Sequence, residues 1–181
     1  MIKKQNYLKH AIVLFLLLLL MQPGRALAAY ENVEFSSLTN HDGLTNSQVG
    51  AILKDTRGYI WFGTHSGLCR FDGFRMKTFY YSNTDDKSLP NNTVDELQQD
   101  YDGNIWVHTS VGYSIYKYDE EQFDRKPEEW LKNIHVQGPP YKLLIDKDKN
   151  MWIAVYGQGL YYHNAKTRNT YLFKFTKKAQ P

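Results

Sequence analysis

The sequence predicts an all-β fold in which one antiparallel unit is repeated about three times. An Asp precedes a Trp by six residues in three places, at Asp55 and Trp61, Asp100 and Trp106, and Asp146 and Trp152. The three Trp residues are 45 and then 46 residues apart. A fixed period of this size is typical of repeat architectures. Aromatic residues, which are enriched in strands, make up 15% of the chain.

The first unit contains four predicted strands joined by turn residues. The strands are predicted at 49–54, 59–63, 68–71 and 74–81. Asp55 accepts backbone N–H groups at the start of the first turn, where Gly58 supplies positive φ. Asp72 and Gly73 form a strong hairpin signal. Four antiparallel strands in a unit of about 45 residues match the size of a β-propeller blade.

The second and third units repeat this order with local differences. Strands are predicted at 94–99, 105–108 and 113–118 with a weaker fourth, and then at 141–146, 151–155, 160–163 and 170–175. Between the two units, residues 127–132 are predicted to form one helical turn, because a Pro and two acids occupy its start. Lys149 stands where Gly58 and Gly103 stand in the other turns, and Asn150, which follows it, is able to tolerate a left-handed conformation.

The three units and the N-terminal segment predict the domain boundaries of the chain. Residues 1–28 are predicted to be a signal peptide, since Lys residues precede a short apolar run and an Ala-Leu-Ala site follows it. Residues 29–43 are predicted to contain an N-terminal strand. The blades are assigned to 44–88, 89–135 with the inter-blade insertion, and 136–181. Because closed propellers have about 4–8 blades, three form an incomplete ring.

Charge and cysteine content exclude several functional classes. Four of the 22 basic residues and none of the 19 acidic residues lie in 1–28. The exported chain is therefore nearly neutral, without the basic stripe of a nucleic-acid-binding protein. One cysteine excludes an internal disulfide framework. After cleavage of the signal peptide, the sequence has no second apolar segment, so no membrane span is predicted there.

Residues 43–73, GLTNSQVGAILKDTRGYIWFGTHSGLCRFDG, closely resemble the two-component regulator propeller repeat. Residues 100–116, DYDGNIWVHTSVGYSIY, resemble it less closely. The resemblance implies the periplasmic sensor region of a Bacteroides-type hybrid histidine kinase, which recognises an oligosaccharide and controls transcription of genes for glycan use. It also implies a homodimer, or missing blades, as partner. Kinase activity would reside in domains absent from this sequence, so the chain itself is expected not to be an enzyme.

The repeated motif is interpreted as structural because a catalytic pair would normally occur once. Its members are expected to brace a turn and to bury a Trp between adjacent blades: Asp55, Gly58, Trp61, Asp100, Gly103, Trp106, Asp146 and Trp152. Ligand contacts are predicted instead on one face, in the loops between blades and between second and third strands. That face offers an aromatic ring and polar groups from Tyr156, Gln158, His65 and Ser110. No cofactor or metal site is predicted.

Three alternatives remain open from the sequence. Some propellers are lyases or glycosidases, although the sequence offers no convergent acid and base residues. The chain could close a ring by self-association through its open blade faces. It could also be a truncated product with no signalling role.

Overall fold

The computed structural model describes residues 35–174, which lie almost entirely in a compact unit that begins at Ser37. The predicted signal peptide and residues 29–34 of the predicted N-terminal strand lie outside the described residues. In the described part, no helix is long and apolar enough to cross a membrane.

The described chain forms three sheets of four antiparallel strands each. The first sheet comprises β1 (Val49–Lys54), β2 (Ile60–Thr64), β3 (Gly67–Phe71) and β4 (Met76–Phe79). The second comprises β5 (Val94–Gln99), β6 (Ile105–Thr109), β7 (Gly112–Lys117) and β8 (Gln122–Asp124). The third comprises β9 (Pro140–Ile145), β10 (Met151–Val155), β11 (Gly159–His163) and β12 (Thr170–Phe173). The predicted fold class is confirmed.

The first strands of the three sheets lie beside one another. A Cβ added to Gly50 of β1 would stand 3.0 Å from the Val94 carbonyl oxygen of β5. From β5, the Gln98 amide nitrogen donates to the Leu143 carbonyl oxygen of β9 at 2.7 Å. We call the side formed by β1, β5 and β9 the axial edge. The blades therefore fan outward from this edge, and the array is open rather than a closed ring.

The Asp of the repeated motif holds its turn and its Trp together. Asp55 Oδ1 accepts the backbone N–H of Arg57 and Tyr59 at 2.9 and 3.0 Å. Its Oδ2 accepts the Trp61 indole N–H at 2.7 Å and the Tyr118 hydroxyl of the second sheet. One buried carboxylate thus satisfies four donors, which explains why an Asp precedes the Trp at a fixed distance.

Two apolar cores lie between the sheets. Trp61 is fully buried between the first and second sheets, with Phe79 from its own sheet and Tyr116 from the next. Trp106 is 1% exposed between the second and third sheets, in the same cluster as Ile153. Large-ring burial of this kind is a major source of stability.

The expectation for Trp152 is not met. The side chain is only half-buried and packs on Tyr162 of its own sheet, with ring centroids 4.5 Å apart. Its position is equivalent to that of Trp61 and Trp106, but residues 35–174 contain no further sheet on that side. Burial of this motif position therefore depends on a following blade.

The inter-blade insertion contains the predicted helical turn, α1 (Pro127–Lys132). Pro127 occupies its first turn, and Glu128 and Glu129 lie near its N-terminus, where negative charge is favourable. Leu131 is fully buried in the core between the second and third sheets. The insertion therefore forms part of the packing of that interface.

Two local features differ from the expectations, and the first concerns only residues 35–43, because 29–34 of the predicted N-terminal strand lie outside the described residues. Residues 35–43 contain no strand, and Asn40–Asp42 form a 3₁₀ turn because Thr39 and Asp42 cap each other in a capping box. In the third unit the left-handed residue is Lys149, with φ 65°, and not Asn150. The Lys149 ammonium donates to the Gln99 carbonyl oxygen at 3.0 Å, which ties this turn to the second sheet.

Candidate functional site

In each sheet, the turn between the second and third strands lies at the same end. The linker between the first two sheets lies at that end as well. The backbone N–H of Gly67 donates to the Asn92 carbonyl oxygen at 2.7 Å, and that of Ser110 donates to the Thr93 carbonyl oxygen at 3.3 Å. We call this the upper end. The Asp–Trp turns occupy the opposite end, which we call the lower end. The repeated motif and the predicted ligand face are therefore separated in space.

Arg125 organises the linker that contributes to the upper end. Its Nε donates to the Ser88 carbonyl oxygen and its Nη2 to the Asp85 carbonyl oxygen, both at 2.9 Å. The same Nη2 lies 3.2 Å from the Ser82 carbonyl oxygen. A guanidinium with several donors suits this role. Sequence reasoning missed Arg125 because its partners are backbone atoms far along the chain.

The four predicted ligand residues all lie on upper-end turns. His65 and Ser110 are exposed at equivalent positions of the first and second sheets, and Tyr156 is 92% exposed on the third. Gln158 is partly buried on the same turn as Tyr156. The topology therefore gives these residues a common end, while they belong to three separate turns. Their role in binding stays a prediction.

Gln158 lines a cleft of about 660 Å³ beside the insertion. Its Nε2 donates to the Gln137 carbonyl oxygen at 2.9 Å, and its Oε1 accepts the Tyr161 hydroxyl at 2.5 Å. His135 and Lys174 line other parts of the wall. The cleft is thus polar and pre-organised by Gln158, which fits a ligand with several hydroxyl groups.

Charged side chains also gather where the second and third sheets meet at the axial edge. Lys142 and Glu96 form an ion pair across the two sheets, and His108 Nδ1 lies 2.6 Å from Asp95 Oδ1. Tyr113 donates to Glu96 Oε2 at 3.3 Å, and burial raises the pKa of its hydroxyl well above the usual range. The hydroxyl is therefore a neutral donor at physiological pH.

A second cleft of about 520 Å³ lies at the lower end, between the second and third sheets. Arg168 covers the Tyr101 ring there, with its guanidinium carbon 3.8 Å from the ring centroid. Arg168 also pairs with Asp102 at 3.3 Å. These contacts hold Arg168 in place and stabilise the turns, and Lys149 and Lys166 also line this cleft. Among residues 35–174, no group of three or more His, Cys, Asp or Glu side chains could hold a metal ion.

Comparisons with known proteins agree with this architecture. The sequence model of the family described as two component regulator propeller matches residues 43–66 and 88–110. These segments contain the first two strands of the first and second sheets, and the second segment also contains the end of the linker between those sheets. Histidine kinase P4 of Formosa agariphila is 41% identical over 61 residues, which are 34% of this chain and 4% of that protein.

A solved structure shows the same fold. It is the extracellular domain of the hybrid two-component system BT3049 from B. thetaiotaomicron, with a TM-score of 0.55 and 24% identity over 81% of this chain. The chain spans 21% of that structure's length. The two matched segments and the three sheets show that the chain contains β-propeller blades, two of which are similar in sequence to the two component regulator propeller repeat.

Proposed function

We propose that this chain forms part of the extracytoplasmic sensor of a hybrid two-component system and that its upper end binds an oligosaccharide. The observation that carries the proposal is the match of two regulator-propeller repeats to residues that fold as blades. Export by the predicted signal peptide would place these blades in the periplasm. Kinase and transcription functions would belong to other domains of a longer protein.

The chemistry of the upper end supports a sugar ligand. Sugar rings present apolar faces that stack on aromatic side chains, and hydroxyl groups that need oriented polar partners. Tyr156 offers a ring that is 92% exposed. Gln158, two residues away, is fixed by its bonds to Gln137 and Tyr161. An exposed ring beside an oriented amide supplies both kinds of contact.

The proposed role is binding rather than catalysis. Glycosidases use two carboxyl groups on opposite sides of the scissile bond. The buried carboxylates Asp55 and Asp100 instead bind their own turns and Trp residues. Glu96 is paired with Lys142. Ligand binding would be transmitted by rearrangement of a dimer or of neighbouring blades.

Calorimetric titration of the full chain with neutral oligosaccharides of two to six sugar units tests this proposal. We expect one sugar class to bind with a submillimolar Kd. Tyr156→Ala and Gln158→Ala should each weaken binding by about tenfold, because each removes one oriented contact worth about 1.4 kcal/mol. Tyr171→Ala is the matched control, since Tyr171 is 53% exposed on the outermost strand. Absence of binding at millimolar concentration of every sugar would overturn the proposal.

A further inference from the structure

The first strand of each sheet contains one extra residue, and the three extra residues lie at equivalent positions near the upper end. In β1, Val49 and Ala51 pair with the consecutive residues Thr64 and Gly63 of β2, so Gly50 has no partner. The same two-against-one pairing leaves Asp95 unpaired in β5 and Tyr141 unpaired in β9. These are β-bulges, which re-aim a side chain and are common beside functional sites.

The bulges release two side chains from the packing between sheets. In a regular strand of a radial sheet, successive side chains face one neighbouring sheet and then the other. Asp95 departs from this, since its side chain is 51% exposed while the preceding Val94 is fully buried. Tyr141 is 72% exposed, whereas Leu143 in the same strand is fully buried.

The three bulges lie on neighbouring strands. A Cβ on Gly50 would stand 3.4 Å from the Asp95 Cα. The ion pair between Glu96 and Lys142 joins the residues that directly follow Asp95 and Tyr141. We call Gly50, Asp95 and Tyr141 the axial triplet. Its members stand at one level of the axial edge, and Tyr141 lies beside the strand end that leads into the turn of Tyr156.

The axial triplet combines complementary groups. Asp95 Oδ1 is held by His108 at 2.6 Å, and Oδ2 has no hydrogen bond from the residues that the structure describes. The Tyr141 ring has no aromatic neighbour within that same part of the chain. Gly50 has no side chain to fill the space beside Asp95. An oriented free acceptor with an empty position beside it, and an open ring, thus lie at the bulges of successive strands of the axial edge.

We propose that the axial triplet binds one sugar unit of a neutral oligosaccharide. The Tyr141 ring stacks on the apolar face of the sugar, and the Asp95 carboxylate accepts two of its hydroxyl groups, bonds of the charge-assisted kind. The negative charge of Asp95 disfavours acidic sugars, whereas Lys142 offsets that of Glu96. The inference rests on the proposed function and adds a contact site nearer the axis than the turn of Tyr156 and Gln158.

Titration of full-length variants with the neutral oligosaccharides tests the inference. Tyr141→Ala and Asp95→Asn should each weaken binding by about tenfold, which is the scale of one lost charged hydrogen bond or stacking contact. Tyr141→Phe keeps the ring and should bind within about twofold of the native chain. Asp148→Asn is a matched control, because Asp148 is exposed on a turn at the lower end.

The outcomes separate the two proposals. If Tyr141→Ala and Asp95→Asn bind as the native chain does while Tyr156→Ala loses affinity, the axial triplet is wrong and the proposed function stands. If no sugar binds the native chain, both are wrong. Unchanged thermal melting of the two variants, combined with tenfold weaker binding, supports the axial triplet, since a purely structural role would lower the melting temperature. If Tyr141→Phe loses as much affinity as Tyr141→Ala does, the stacking role of the ring is wrong.

Discussion

Replacement of Asp100 by Asn tests the structural role of the repeated motif. The Asp100 carboxylate is 2% exposed and accepts four hydrogen bonds. Its Oδ1 receives the backbone N–H of Asp102 and Asn104, each at 2.9 Å. Its Oδ2 receives the Asn104 side-chain amide at 3.0 Å and the Trp106 indole N–H at 2.9 Å. Every neighbour is a donor, so the ionised form fits the site even though burial raises the pKa of this carboxyl.

Asn keeps one acceptor oxygen and places an amide N–H₂ where Oδ2 stood. The buried indole N–H of Trp106 then faces another donor, and an unsatisfied buried donor costs about 1–3 kcal/mol. The two backbone bonds also lose their charge-assisted part, about 0.5–1 kcal/mol each. Asn104 is partly exposed, so its amide can turn to water. We expect Asp100→Asn to lower the free energy of unfolding by about 3 kcal/mol.

Urea unfolding of the full chain, followed by circular dichroism and Trp fluorescence, measures this loss. Asp146→Asn is the matched control: Asp146 receives equivalent bonds from its own turn, but it is more exposed and water can replace them. We expect a loss of about 1 kcal/mol or less there. Equal losses for the two variants, or a loss below about 1 kcal/mol for Asp100→Asn, would refute the buried four-donor account.

Three further predictions concern the packing between blades. Trp106→Phe should lower the urea midpoint more than Trp152→Phe, since only Trp106 is buried between sheets; equal shifts would contradict this. Gly63→Ala should destabilise the chain by about 1–3 kcal/mol, because the new Cβ would lie 2.6 Å from Val94 Cγ1; a neutral result in urea unfolding would contradict this close approach. Burial lowers the pKa of His163, with a further lowering by Arg168 and an opposing effect of Asp102. The unfolded chain therefore takes up a proton first, and stability should fall as pH drops below about 6.5, with a flatter urea-midpoint profile for His163→Gln.

The blade repeat could be predicted because its signals are local. Asp55, Gly58 and Trp61 lie within seven consecutive residues, and turn chemistry plus a Trp at constant spacing define the hairpin. The helical turn at 127–132 was predictable for the same reason, since Pro and acidic residues act within one turn. Cys69 lies in a predicted strand and is fully buried.

Long-range contacts were not predictable from one sequence. Tyr118 of the second sheet binds Asp55, and Glu121 of the second sheet pairs with Arg70 and Lys77 of the first. These pairs depend on how two blades dock, which local patterns do not specify. The three bulges were missed because one extra residue leaves the Trp period intact. The capping box of Thr39 has a local sequence signal, because the acidic Asp42 follows Thr39 by three residues.

A backbone amide NMR spectrum of the full chain, recorded with and without the tightest-binding neutral oligosaccharide, shows which end of the blades contacts the ligand. The upper end is expected to recognise the ligand, while the Asp–Trp turns hold the blades. We expect the shifts to be concentrated at 140–142, 155–158 and the Asp95 bulge, with the turns at 55–59, 100–104 and 146–150 unchanged. Shifts centred on those three turns would contradict it, because the repeated motif would then be the binding site.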